Sequence, residues 1–118
     1  MKKTWWQRGR AKDFGDDTFS NERSRAWVRS KCQAEYRLED WHLTREEFFN
    51  FWSTPDLWAQ RGRARDDLVL TRIDWEKPWS KENCCIMSRH KQILIKSAVR
   101  WGYDLEPLYK DCIIYPHV

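Results

Sequence analysis

The sequence predicts an α+β protein, mainly helical, built around one hairpin followed by a helix. Two short apolar, β-branched runs, "DLVLTRID" and "CCIM", read as strands. A run with helical spacing, "RHKQILIKSAVRW", follows the second directly, which makes a ββα unit over residues 68–100. The segments ahead of it carry helix caps and read as short helices covering that unit. The length, 118 residues, suits one domain whose core is large enough to fold alone. The expected layout is a basic arm over 1–18 and a single domain over 19–118.

The arm, "MKKTWWQRGRAKDFGDDT", is polar and lacks periodicity. Lys2, Lys3, Arg8, Arg10 and Lys12 occur with no acid among them, and Trp5 and Trp6 interrupt the polar run. The plainer role of such an arm is a flexible basic tail; the functional one is to lie along a nucleic-acid backbone. Residues 19–38 contain no Gly or Pro. Ser20 or Asn21 is the expected cap of a helix there, and Trp27, Val28, Cys32 and Leu38 its apolar stripe. In "LTREEFFNFW", Thr44 and Glu47 form a capping box ahead of a mostly buried Phe48, Phe49, Phe51 and Trp52. In "STPDLWAQRG", Thr54 caps, Pro55 opens the helix and Gly62 closes the turn.

The two strands are joined by residues 74–83, too long for a tight hairpin. Pro78 and a local cap from Ser80 or Asn83 order this loop. Ser88 caps the helix that follows, and Gly102 ends it. Leu94, Ala98 and Trp101 share its apolar face, with Ile95 and Val99 beside them. A short strand is expected near Cys112 to Tyr115.

Composition narrows the function classes only loosely. The net charge of +4 is mildly basic. Nine Trp supply core area, and some supply binding anchors. The four Cys contain no C-x-x-C pair, which argues against structural zinc. No apolar run is long enough to span a membrane. No membrane partner, a cytoplasmic location and reduced thiols are the expectation.

The segment "LVLTRID…WSKENCCIMSRHKQ" resembles the small HNH endonucleases of bacteriophages. Their core reads like L-D-R-I-D, then a turn, then E-N-C-R-W-x-T-R-x-E-Q. "RAWVRSKC" and "LTREEFFNFW" also sit where that subgroup has a helix and a Phe-containing stretch, so the resemblance covers roughly residues 25 to 95. It implies a ββα-metal fold, DNA as the ancestral substrate and a phage or mobile-element origin. It further implies one divalent metal (Mg²⁺, Mn²⁺ or Ni²⁺) at the hairpin–helix junction, with a His activating water.

Carried over position by position, the pattern meets substitutions. The acidic ligand falls on Thr71, which offers a hard cation no charge. The general base falls on Arg72, which stays protonated and suits a phosphate clamp instead. The loop Asn is retained as Asn83, and the helix ligand falls near Gln92, Ile95 or Lys96. Asp74 and His90 are the residues able to rescue a metal site. Their plainer roles are a turn-forming Asp and a packing His near a helix start. His42 and His117 have no evident partner.

Three functions follow. A degraded scaffold acts by binding a host bacterial protein, anchored by Trp75 and Trp79, or DNA. An active nicking endonuclease uses Asn83, Arg72 and His90 for catalysis, with its metal on Asp74 and His90. A non-cleaving DNA-binding module sets Arg61, Arg63, Arg65, Arg72, Arg89 and Lys91 against phosphates. Thr71 and Arg72, standing where metal chemistry needs an acid and a base, favour binding over catalysis; a binder of this kind needs no cofactor.

Overall fold

In the computed structural model, which describes residues 14–115, the first helix α1 (Thr18–Tyr36) is capped by Asp17. The rest of the expected arm, residues 1–13 with Trp5 and Trp6, lies outside the described residues, as does His117. The Asp17 carboxylate accepts from Ser20 N at 3.0 Å and from Ser20 Oγ at 2.8 Å. Those two bonds hold its pKa below the ordinary carboxylate value. The expected caps, Ser20 and Asn21, therefore sit inside the first turn. Asn21 turns back instead, accepting from Phe14 N at 2.7 Å and donating to Gly15 O at 2.9 Å.

Of the stripe expected on α1, Trp27 packs against the core and Val28 is half-buried, but the other two residues are not covered. Leu38 is 93 % exposed and Cys32 is exposed. The helix buries Ser20, Arg23, Ser24, Ala26 and Ala34 instead. These are mostly small residues, which let neighbouring segments approach closely. Arg23 joins α1 to α2 (Arg45–Phe51). Its guanidinium lies 3.6 Å from the Phe19 ring centre and 4.1 Å from that of Phe49. Its Nη1 donates to Phe49 O and Trp52 O, each at 3.1 Å. These are carbonyls at the C-terminal end of α2, where the helix itself supplies no donors and a cation is favoured.

Between α1 and the hairpin the N-terminal caps act as read. Thr44 and Glu47 close a capping box on α2. Thr54 accepts from Leu57 N, and Pro55 opens α3 (Pro55–Ala59). Gly62, however, is not a left-handed terminator: α3 is capped at Gln60, and Gly62 N donates to Leu68 O. The hairpin is β1 (Leu68–Arg72) and β2 (Cys84–Ser88), antiparallel, with Leu68 opposite Ser88 and Arg72 opposite Cys84. Next come α4 (Arg89–Trp101), α5 (Glu106–Tyr109) and β3 (Ile113–Ile114). β3 pairs antiparallel with β2, so β2 is central and β1 is an edge.

Strand alternation divides the core between the two sides of the sheet. Cys84 and Ile86 pack with Ala26, Leu43, Phe48, Phe51 and Trp52, while Cys85 and Met87 pack with Ile95. On β1, Leu68 and Leu70 join the first group and Val69 joins the second. Burial pushes the Cys84 and Cys85 thiols up to about 12, so both stay protonated.

α4 begins directly after β2, capped by Ser88, and ends at Gly102 in the left-handed conformation (φ 75°). Its buried residues are Ile95 and Ala98. Leu94 and Trp101, expected on that face, are 42 % and 70 % exposed. The helix leaves β2 without a linker, so the strand end sets its rotation, and Gln92, Ile95 and Ala98 turn toward the sheet. No helix among the described residues is long and apolar enough to cross a membrane.

Candidate functional site

The hairpin sorts the candidate residues into three places. The first is the loop end, where Arg72 pairs with Cys84. Asn83 organises this end. Its Oδ1 accepts from Asp74 N at 2.9 Å, and its Nδ2 donates to Asp74 O and Pro78 O, each at 2.9 Å. The amide is thereby occupied by loop backbone and touches neither Arg72 nor His90. Asp74 accepts from Glu76 N at 3.0 Å in a side-chain turn, and lies 3.9 Å from Lys77 Nζ.

Arg72 is anchored internally. Its Nη2 is 3.1 Å from Glu39 Oε2, its Nη1 donates to Lys77 O at 3.1 Å, and its guanidinium lies 5.3 Å from the Trp79 ring centre. Glu39 also accepts from Arg37 and from Trp79 Nε1. Burial alone pushes the Glu39 carboxyl up, but the bonds from Arg37 and Trp79 and the charges of Arg72 and Arg37 outweigh it, and its pKa falls below the ordinary value.

The second place is the opposite end of the hairpin. His90 N donates to Arg65 O at 2.9 Å, and its Nε2 lies 3.4 Å from Arg65 Nη2. β2 is five residues long, so about 13 Å of strand, at roughly 3.3 Å per residue, separates this end from Asn83 and Asp74. The metal pair expected from sequence, Asp74 with His90, is not assembled. Nor are Asn83, Arg72 and His90 brought together as a catalytic set. Among the described residues, no group of three or more His, Cys, Asp or Glu is placed to hold a metal ion.

The third place lies on the α4 side of β1, where the two positions matched to the acidic ligand and the helix ligand do meet. Thr71 is buried, 5 % exposed, and its Oγ1 accepts from Gln92 Nε2 at 3.2 Å. Gln92 Oε1 accepts from Arg89 Nη1 at 2.8 Å. The result is a neutral hydroxyl–amide pair held by a guanidinium, with no anionic donor in it.

Trp75 and Trp79, expected as exposed anchors, are half-buried and pack against the core. Trp79 also lies 5.4 Å from Trp41, ring centre to ring centre. Of the expected phosphate contacts, Arg72 is held by Glu39 and Arg89 by Gln92, while Lys91 is 4.0 Å from Asp111. Arg61, Arg63 and Arg65 remain exposed. Arg61 stacks 3.9 Å over the Trp58 ring. Arg63 and Arg65 have no carboxylate partner among the described residues.

The sequence reading missed Glu39 as the partner of Arg72. The two are 33 residues apart, and no spacing rule links them. It also missed Arg29 and Arg37, which project from α1 toward the same side as Arg61 and Arg63. Comparison with known proteins finds no matching family model, no matching curated protein and no matching solved structure.

Proposed function

We propose that this chain is a non-cleaving DNA-binding protein on a degraded, phage-type HNH-like scaffold. One observation carries the reading. Where the resemblance puts the metal shell, Thr71 and Gln92 bond to each other and offer a hard cation only neutral oxygens. The groups able to compensate are engaged elsewhere: Asp74 in its turn, Asn83 in the loop, His90 at the far end of the strand. A binding role for the basic face is supported by Arg61, Arg63 and Arg65, which follow α3 within a five-residue stretch and reach solvent. Charges of this kind bind polyanions by releasing counterions. The host-protein reading has less support, since Trp75 and Trp79 are half-buried against the core and do not stand out as free anchors.

A plasmid-nicking assay with Mg²⁺, Mn²⁺ and Ni²⁺, against an EDTA control, tests the first half. No nicking in any metal is expected; metal-dependent nicking that EDTA abolishes sinks the non-cleaving reading. Fluorescence anisotropy on a labelled duplex tests the second half. Affinity should fall steeply with salt, and Arg65→Glu should weaken it by about tenfold and flatten the salt slope by about one. Binding that ignores salt, or none at low salt, removes DNA as the partner.

A further inference from the structure

A pocket of about 380 Å³ opens between α1 and the outer edge of β1. It lies on the α1–α3 side of the sheet, across β1 from Thr71 and Gln92. Arg29, Arg37, Arg61 and Arg63 line it, and no Asp or Glu does. Arg37 is engaged by Glu39 at 3.0 Å. Arg29 and Arg63 are exposed and have no carboxylate partner among the described residues. Burial, and then the like charge of Arg29, push the Arg61 pKa down. Glu39 answers Arg37 and Glu22 partly offsets Arg61, which leaves Arg29 and Arg63 as the cations without a carboxylate.

Two neutral donors lie in the pocket wall, covered rather than open to it. Trp41 and Trp52 line it, and each has a buried indole N–H that meets no acceptor among the described residues. Such unpaired buried donors are rare in native proteins. The edge of β1 adds a backbone pair. Leu68 N donates to Gln60 O at 2.8 Å and Leu68 O accepts from Gly62 N at 3.4 Å, so the Leu68 groups point away from β2. Alternation sends the amide and carbonyl of Leu70 to the same edge. There no described residue meets them.

We infer that this pocket takes one unstacked nucleotide of a single-stranded nucleic acid. Its phosphate sits between Arg29 and Arg63, its base lies against Trp41 and Trp79, and the edge of the base meets the Leu70 amide and carbonyl. A phosphate alone would leave most of the volume unfilled. An acidic side chain would use the arginines and leave the aromatic walls and the strand edge idle. Pockets of this size suit small organic ligands, and stacking on an aromatic wall combined with a cationic groove is how single strands are held. The inference rests on the nucleic-acid reading above and adds to it a pocket that shares Arg61 and Arg63 with the basic face but not Arg65.

The test titrates the full chain, by tryptophan fluorescence, with thymidine and adenosine monophosphates, inorganic phosphate and a tetraglutamate peptide. Duplex anisotropy runs in parallel. Arg29→Glu is the pocket variant and Arg65→Glu the control for the exposed face; both side chains are exposed, and circular dichroism checks the fold. Saturable quenching by a mononucleotide is expected, at least about tenfold tighter than phosphate. It should weaken by at least about tenfold in Arg29→Glu and stay within about twofold in Arg65→Glu. No saturation by either nucleotide, with duplex binding intact, overturns the pocket and leaves the broader reading standing. Nucleotide binding unchanged in Arg29→Glu places it elsewhere and also overturns the pocket. Peptide binding in place of nucleotide overturns it in favour of an acidic protein partner. Nucleotide saturation that depends on Arg29, without any duplex binding, supports the pocket and defeats the duplex reading.

Discussion

The two sides of the sheet differ in how they are filled. On the α1–α3 side, Leu43, Phe48, Phe51 and Trp52 are nearly inaccessible, and Trp52 meets Trp58 edge-on at 5.8 Å. On the α4 side the buried set is Cys85, Met87 and Ile95, and α4 leaves Leu94, Val99 and Trp101 largely in solvent. One side buries large aromatic rings and the other a single helix stripe. Stability should therefore be concentrated on the first side, with α4 and α5 able to open before the rest.

The sharpest way to break this comparison is a pair of truncations. Trp52→Ala should cost about 3–5 kcal/mol in urea denaturation, because a ring of that size leaves a cavity the packed aromatics cannot close. Ile95→Ala should cost about 2 kcal/mol, the low end for such a change, because a half-exposed helix can settle into the gap. Hydrogen exchange in Ile95→Ala should show α4 and α5 amides exchanging early while α1 and α2 stay protected. Equal losses from both substitutions, with α1 exchanging as fast as α4, would mean that the sides are not distinct.

The adjacent thiols report on each side separately. Cys32 is exposed and should react with a thiol reagent in the native state. Cys84 and Cys85, buried and pushed up to about 12, should stay silent at neutral pH. In Ile95→Ala, Cys85 should become reactive before Cys84. The reverse order would count against a weaker α4 side.

Glu39 gives a smaller, pH-dependent effect. Its pKa is lowered on folding from an ordinary value of 4.5. A lowered carboxyl contributes stability that is fully present above the unfolded value and is lost as pH falls through the folded one. Stability measured from pH 6 downward, a starting point about 1.5 units above that ordinary value, should fall below about 4.5, and part of that fall should be missing in Glu39→Gln. An unchanged acid profile in the variant would show that the Arg72–Glu39–Trp79 cluster contributes nothing to the folded state. Smallest of all, Trp101→Ser should stay within about 0.5 kcal/mol, since the ring is 70 % exposed.

The caps and turns were legible in the sequence because each needs only neighbours. Ser88, Thr44, Glu47, Thr54, Pro55 and Gly102 act where their spacing put them. Asp17 caps α1 although the expected arm over 1–18 took it in, because the helix begins one residue earlier than expected, at Thr18. The buried face of α4 was off by one position, because Leu94 and Ile95 fit a helical stripe equally well and only the junction with β2 chooses between them.

The candidate site was less legible. Asp74 and His90 looked compatible as ligands because sequence distance hides the length of a strand; the register puts them at opposite ends of the hairpin. Arg72 looked available for a phosphate until Glu39 arrived from the far end of α1.

By itself, then, the sequence determined where most helices begin and end, which runs pair as strands, and that the first strand carries Thr71 and Arg72. Those are properties of residue type and near spacing. The tertiary structure alone decided which charges stay free and which are neutralised. It joined Thr71 to Gln92, tied Arg72 to Glu39, and left Arg29 and Arg63 unpaired beside an open strand edge. The physical reason is that charge pairing and hydrogen bonding act over a few ångströms in space. Residues 21 to 33 apart in the chain meet only once the sheet and helices are packed.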